Sequence, residues 1–126
     1  MTLPVPASTE PVAQATLAQT TPGETADHEA GRAIYNFRCY FCHGYSGDAK
    51  TLAATYLDPP PRSFQAATSN ELPRTRIAAA VRDGREGTAM KSFRAVLSDA
   101  DMARVAAFVE REFVQQKAPN TRYHTE

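Results

Sequence analysis

Apolar positions recur with the period of an α-helix in three stretches of the chain, separated by polar and turn-forming residues. Ala30, Ala33, Ile34 and Phe37 fall at i, i+3, i+4 and i+7, predicting a first helix from near Asp27, which is placed to cap it or to favour the positive end of its dipole. Gly31 and Tyr35 lie one turn apart on the neighbouring stripe. Glycine inside a helix costs up to about 1 kcal/mol relative to alanine, so this pair predicts a second helix crossing closely there. Another helix is predicted over about Pro73 to Asp83. Pro73 takes the first helical position, Ile77, Ala80 and Val81 make a short apolar face, and Gly84 caps the C-terminus. The last helix is the clearest: Ser98 is a capping serine with Asp101 three residues on, and Met102, Val105, Ala106, Val109 and Phe113 follow at helical spacing. Arg111 and Lys117 lie towards the negative end of its dipole. Beyond about Gln116 the chain turns polar, and Pro119-Asn120 predicts the stop. The expected fold class is all-α.

Outside these helices the pattern fades. Residues 1–26 are rich in Pro, Thr, Ala and Gln and contain no Lys or Arg, a composition that buries too little to offset chain entropy. They read as a tail or linker, without the basic start and apolar centre of a signal peptide. The expectation is that a leader or anchor once preceded them. One domain is therefore expected over residues 27–114, with a polar tail over 115–126. The full chain of 126 residues is 42% apolar and 22% charged, ordinary for a single globular domain. Its formal net charge is zero, which removes the electrostatic argument for nucleic acid or an anionic membrane surface as partner. No run approaches the roughly 18 apolar residues of a membrane helix.

The candidate chemistry lies where the first helix ends. Cys39-Tyr40-Phe41-Cys42-His43 is a C-x-x-C-H sequence, the pattern of a covalent c-type haem attachment site. Two thiols can add to the two vinyl groups of one porphyrin, and the adjacent imidazole reaches the iron from the same side. A redox dithiol also uses C-x-x-C, but expects a βαβ context. Zinc needs further ligands, and no other cysteine exists in the chain. His28 and His124 are expected to be solvated side chains.

Two loops complete the set. Leu57 to Phe64 contains Pro59, Pro60 and Pro61, which forbid helix and keep carbonyl acceptors without donors. A metal-bound imidazole needs its other N–H held, so a proline carbonyl is a candidate partner. The segment Gly84 to Phe93 presents Met90 outside any helical stripe. Iron already held by one imidazole has an open sixth position that this thioether can reach.

A helix ending in C-x-x-C-H, a proline-rich loop, a short helix, a Gly-Thr-Ala-Met loop and an amphipathic last helix together resemble the small single-haem class I c-type cytochromes of bacteria, over roughly residues 27 to 114. The resemblance implies a small cytochrome c fold, with three main helices and short helical turns wrapped around one covalent haem c. It implies Cys39 and Cys42 as thioether cysteines, with His43 and Met90 as the iron's axial ligands. It places the contact to the His43 imidazole at Pro59 or Pro60, with Phe93 beside the haem and Arg62 available for a propionate. It also pairs Gly31 and Tyr35 with Val105 and Phe108 on the last helix. Lys91 departs from the pattern, standing where many relatives have proline after the methionine.

Iron with both axial positions filled has no vacancy for substrate, so the expected function is one-electron exchange, as a carrier or as the electron-entry domain of a redox complex, and not enzymatic turnover. An enzyme or gas sensor with a displaceable Met90 is the alternative. Haem would also supply core area that so short a chain otherwise lacks. Between Lys50 and Arg94 eight basic residues face four acidic ones, some placed to steer an acidic redox partner. Such haem attachment resembles that of periplasmic proteins, so the periplasm is the expected compartment.

Overall fold

A computed structural model describes residues 22–120. Among them there are four α-helices and no strand, the all-α class expected. α1 spans Pro22–Arg38 and α2 spans Tyr40–His43. A short 3-10 turn covers Ala53–Tyr56. α3 runs Arg74–Asp83 and α4 runs Asp99–Phe108, with a π-helical continuation over Val109–Gln115. Helix therefore begins at Pro22 rather than near Asp27, because proline's fixed φ and missing N–H suit the first helical position. Residues 1–21 and 121–126, with His124, lie outside the described residues.

α1 and α4 cross at Gly31 as the glycine predicts. A Cβ there would meet the Arg104 carbonyl oxygen and lie 2.8 Å from the Phe108 Cβ, so only a bare Cα admits this approach. Tyr35, one turn on, is buried with its ring 5.6 Å from that of Phe108. The predicted stripe of α4 holds throughout: Met102, Val105, Ala106, Val109 and Phe113 are all buried. The Ser98 hydroxyl accepts the Asp101 N–H at 3.0 Å and fixes the start of that helix.

The face of α1 is rotated from the predicted one. Phe37 is exposed, and so is Ala33, whereas Gly31, Arg32 and Tyr35 are buried. An apolar count misses this face because its charge is neutralised from far along the chain. Arg32 donates to Glu112 at 3.3 Å and to Asn120 at 2.7 Å, and it bridges to Glu29 at 3.0 Å. His28, expected in solvent, lies 2.9 Å from Glu112 with its ring 5.1 Å from Phe108. The same network reaches past the last helix. Asn120 is fully buried, donates to Asn36 at 2.7 Å and receives Arg32, so residues 115–120 are part of the packed domain.

Candidate functional site

α1 delivers the C-x-x-C-H motif to the core without losing helical hydrogen bonding. The Cys39 N–H bonds to the Tyr35 carbonyl at 2.9 Å and the His43 N–H to the Cys39 carbonyl at 3.0 Å. Gly44 then turns the chain away, held by the Tyr35 hydroxyl, which donates to the Gly44 carbonyl at 2.6 Å. Burial pushes the Tyr35 hydroxyl pKa well up, so it stays a donor. The residue that packs α1 on α4 thus also fixes where the motif ends.

His43 is oriented by two contacts. Its ring stacks on Phe64 with centroids 4.5 Å apart and planes 18° from parallel. Its Nδ1 lies 2.9 Å from the Arg62 carbonyl oxygen. A carbonyl only accepts, so Nδ1 carries the proton and the Nε2 lone pair is free for a metal. Burial, aided by the charge of Arg85, holds His43 below its ordinary pKa against the opposing hydrogen bond to Arg62, which keeps it neutral. The acceptor is therefore the carbonyl of Arg62, not that of Pro59 or Pro60. The prolines stiffen the approach and line the cavity wall instead.

The distal wall comes from the α3–α4 connection. The Gly84 N–H closes α3 on the Ala80 carbonyl at 2.8 Å, and φ of +74° turns the chain back. A Cβ at Gly84 would lie 2.9 Å from the Met90 carbonyl oxygen and 2.7 Å from the Ser92 nitrogen, so this turn needs glycine. The loop is pinned by Arg85 N–H to Met90 carbonyl at 3.0 Å, Met90 N–H to Thr88 Oγ1 at 3.1 Å, and Phe93 N–H to Val81 carbonyl at 2.9 Å. These bonds supply the order that proline after Met90 would otherwise give. Met90 and Phe93 are half-buried against the core.

Between the two walls is one cavity with an inner recess of about 120 Å³ and an outer cleft of about 460 Å³. Cys39, His43, Arg62, Arg85 and Met90 line both parts. Cys42, Pro59, Pro60 and Phe93 line the cleft. The recess is floored by Leu72, Ile77, Val81, Val105 and Val109. Every candidate site residue is brought to this one place. Sequence reasoning missed the recess floor as cofactor contact, although Ile77, Val81, Val105 and Val109 were already assigned to apolar helix faces.

These residues fit a porphyrin. The walls are apolar, two sulfurs and an imidazole stand along one side, and the buried Nε of Arg62 has no hydrogen-bond partner among the described residues. Any acceptor would satisfy it, an anionic one most strongly, while another nitrogen of the same guanidinium lies 4.0 Å from the Glu71 carboxylate. A reactive dithiol fits less well. Burial pushes the Cys39 thiol up to about 12, whereas redox dithiols need a lowered thiolate pKa. Among the described residues no three His, Cys, Asp or Glu side chains converge as a metal site by themselves.

Fold and site together define a class I mono-haem c-type cytochrome domain, with covalent haem c and iron as cofactor and electron transport as its activity. The chain belongs to the cytochrome C oxidase, cbb3-type, subunit III family, whose model matches residues 26–109. It is similar to a solved chain of the Kuenenia stuttgartiensis reducing HAO-like protein complex Kustc0457/Kustc0458, at 26% identity and a TM-score of 0.62. That match covers 76% of this chain and 46% of the other, so this chain spans about half the length of its structural relative. No curated protein matches. Among the described residues no helix is long and apolar enough to cross a membrane.

Proposed function

We propose that this chain passes single electrons through a haem whose iron is held by His43 and Met90 and whose vinyl carbons are bonded to Cys39 and Cys42. The observation that carries the reading is the shared lining: His43, with Nε2 free, and Met90, on a pinned loop, belong to opposite ends of the motif set yet face one apolar cavity. When bound, the haem supplies a one-electron couple. The chain's own residues orient it and keep water away from it. The Arg62 carbonyl holds the imidazole tautomer, Phe64 fixes the ring plane, and the Arg62 guanidinium takes an acidic substituent. A thioether ligand in a low-polarity pocket favours the reduced state and raises the potential.

The chain acts as a carrier or as the electron-entry domain of a larger redox assembly, and performs no bond-making chemistry of its own. Its family and its structural relative, which comes from a multi-protein complex, support that reading. The domain works in the periplasm, where haem of this kind is attached in proteins it resembles.

Visible spectroscopy of the matured chain tests the ligands. Sharp α and β bands on reduction and a ferric thioether-to-iron band are expected, and Met90→Ala should abolish that ferric band and lower the potential. An unchanged spectrum and potential in Met90→Ala would reject Met90 as ligand, and a high-spin ferric wild type would favour an open iron site.

A further inference from the structure

After the π-helical continuation of α4 the chain turns back onto the domain. The Gln116 N–H bonds to the Arg111 carbonyl at 3.1 Å and the Ala118 N–H to the Glu112 carbonyl at 2.9 Å. Lys117 makes the turn with φ of +55°, a left-handed conformation that a residue with a Cβ holds only where its surroundings impose it. Those surroundings are the two segments that flank His43. The Lys117 ammonium donates to the Ala67 carbonyl. Gln65 Nε2 donates to the Ala118 carbonyl at 3.1 Å and to the Ser46 carbonyl at 2.8 Å. The Asn120 N–H bonds to the Ser46 hydroxyl at 3.2 Å, and the Asn120 side chain, fully buried between Arg32 and Asn36 of α1, anchors the far end.

Ser46 belongs to the turn that follows His43, and Gln65 and Ala67 belong to the loop whose Arg62 carbonyl accepts from His43 Nδ1. The two segments also meet directly, the Gly47 carbonyl accepting the Phe64 N–H at 2.7 Å. Phe113 fills the angle between them. Its ring plane is 4° from that of Phe64, with centroids 6.3 Å apart, and Phe64 in turn lies 18° from the His43 imidazole. A Cβ on Gly47 would come within 2.7 Å of the Phe113 ring, so the turn presses on that ring and leaves it no room to tilt. Phe113, Lys117, Ala118 and Asn120 all lie past residue 109, where the family match ends.

Resting on the reading of His43 as an axial ligand, we infer that residues 113–120 are a clamp that positions the His43 imidazole. Phe113 sets its plane through Phe64, while Lys117, Ala118 and Asn120 tie the flanking segments together and so keep the Arg62 carbonyl on Nδ1. None of these four residues lines the cavity; they act through others, as positioning residues. A hydrogen bond from Nδ1 makes the imidazole more basic at Nε2, and a more basic ligand favours ferric iron. The clamp therefore holds the potential down, opposing the thioether of Met90.

The test uses the full, haem-bearing chain with Gln65→Ala/Lys117→Gly. Neither side chain lines the cavity, and glycine suits the φ of residue 117, so the pair of substitutions removes the Gln65 and Lys117 hydrogen bonds without adding strain. Proton NMR of the ferric protein and a redox titration are the readouts. Haem-methyl shifts follow the orientation of the imidazole plane, so the double variant should redistribute them, and its midpoint potential should rise. Loss of the Lys117 charge alone would lower the potential, so a rise reports the weakened Nδ1 hydrogen bond. Lys117→Gly by itself should move both readouts in the same direction by less. Ala33→Gly, on the exposed face of α1, lowers stability without touching the clamp and should leave both at wild-type values. Methyl shifts unmoved in the double variant, a potential that falls or stays, or equal changes in Ala33→Gly would overturn the clamp. A matured wild type without a low-spin ferric spectrum would instead overturn the axial-ligand reading on which the clamp rests.

Discussion

Gly31→Ala adds one methyl group where α1 meets α4, and its effect separates close helix packing from helix propensity. The new Cβ would lie 2.8 Å from the Phe108 Cβ and nearer still to the Arg104 carbonyl oxygen, against about 3.5–4.0 Å for relaxed carbon contacts. The oxygen belongs to the α4 backbone and cannot rotate away, so the helices must separate. Tyr35, Val105 and Phe108 then lose their packing. Overpacking of this kind costs about 1–3 kcal/mol, and a backbone obstacle puts the site at the upper end. Alanine returns about 1 kcal/mol of helix propensity. The net expectation is a destabilisation of about 2 kcal/mol, or a fall in Tm of about 10 °C for a domain of this size. Thermal unfolding of the haem-bearing protein measures it. Ala33→Gly, on the exposed face of the same helix, is the reference and should lose only about 0.5–1 kcal/mol. If Gly31→Ala were neutral or stabilising, the close crossing would be refuted.

Three further outcomes are expected. Glu112→Ala removes the long-range carboxylate of the buried Arg32 guanidinium, which keeps Glu29 and Asn120, and should destabilise by about 1–3 kcal/mol; denaturant titration showing no loss would mean that the pair is solvated. Arg62→Leu keeps the main-chain carbonyl that holds His43 but removes the buried, unpartnered Nε, so the spectrum should persist while the haem's midpoint potential moves; an unmoved potential would show that the side chain does not face the cofactor. Asp83 is held below its ordinary carboxylate pKa of 3.8 by hydrogen bonds from Arg94 and then Arg82. Because its folded pKa is depressed, its contribution is present above pH 3.8 and is lost as pH falls through the lower folded value. Asp83→Asn should therefore flatten the acid limb of a stability-pH profile slightly, and less in high salt, since the group is fully exposed.

What could be read from the chain beforehand was whatever one local segment encodes. C-x-x-C-H carries its chemistry in five adjacent residues, and the stripe from Met102 to Phe113, along α4 and its π-helical continuation, buries apolar side chains at helical spacing, so period and burial agree. The face of α1 failed that reading because Arg32 is buried and His28 half-buried through Glu112 and Asn120, partners 80 or more positions away that no window on α1 contains. The imidazole's acceptor was placed among the prolines because they lack donors, yet every residue of that loop has a carbonyl. Chain geometry, not residue type, selected Arg62. The burial of Asn120 is hidden from the sequence for a related reason: it is polar but fully buried, satisfied by Arg32 and Asn36. Gly31 was the long-range feature that did show, because a helix keeps a glycine at a cost only where something must come near.

The central claim is that Cys39 and Cys42 hold one haem covalently in the cavity that His43 and Met90 share. Intact-mass measurement of the chain, expressed with haem-attachment machinery and washed with acidified organic solvent, addresses it directly. The account predicts the polypeptide plus one haem, resistant to extraction, with the addition lost when both cysteines are replaced by alanine. Bare polypeptide mass in the wild type, or a haem that washes out, would contradict it.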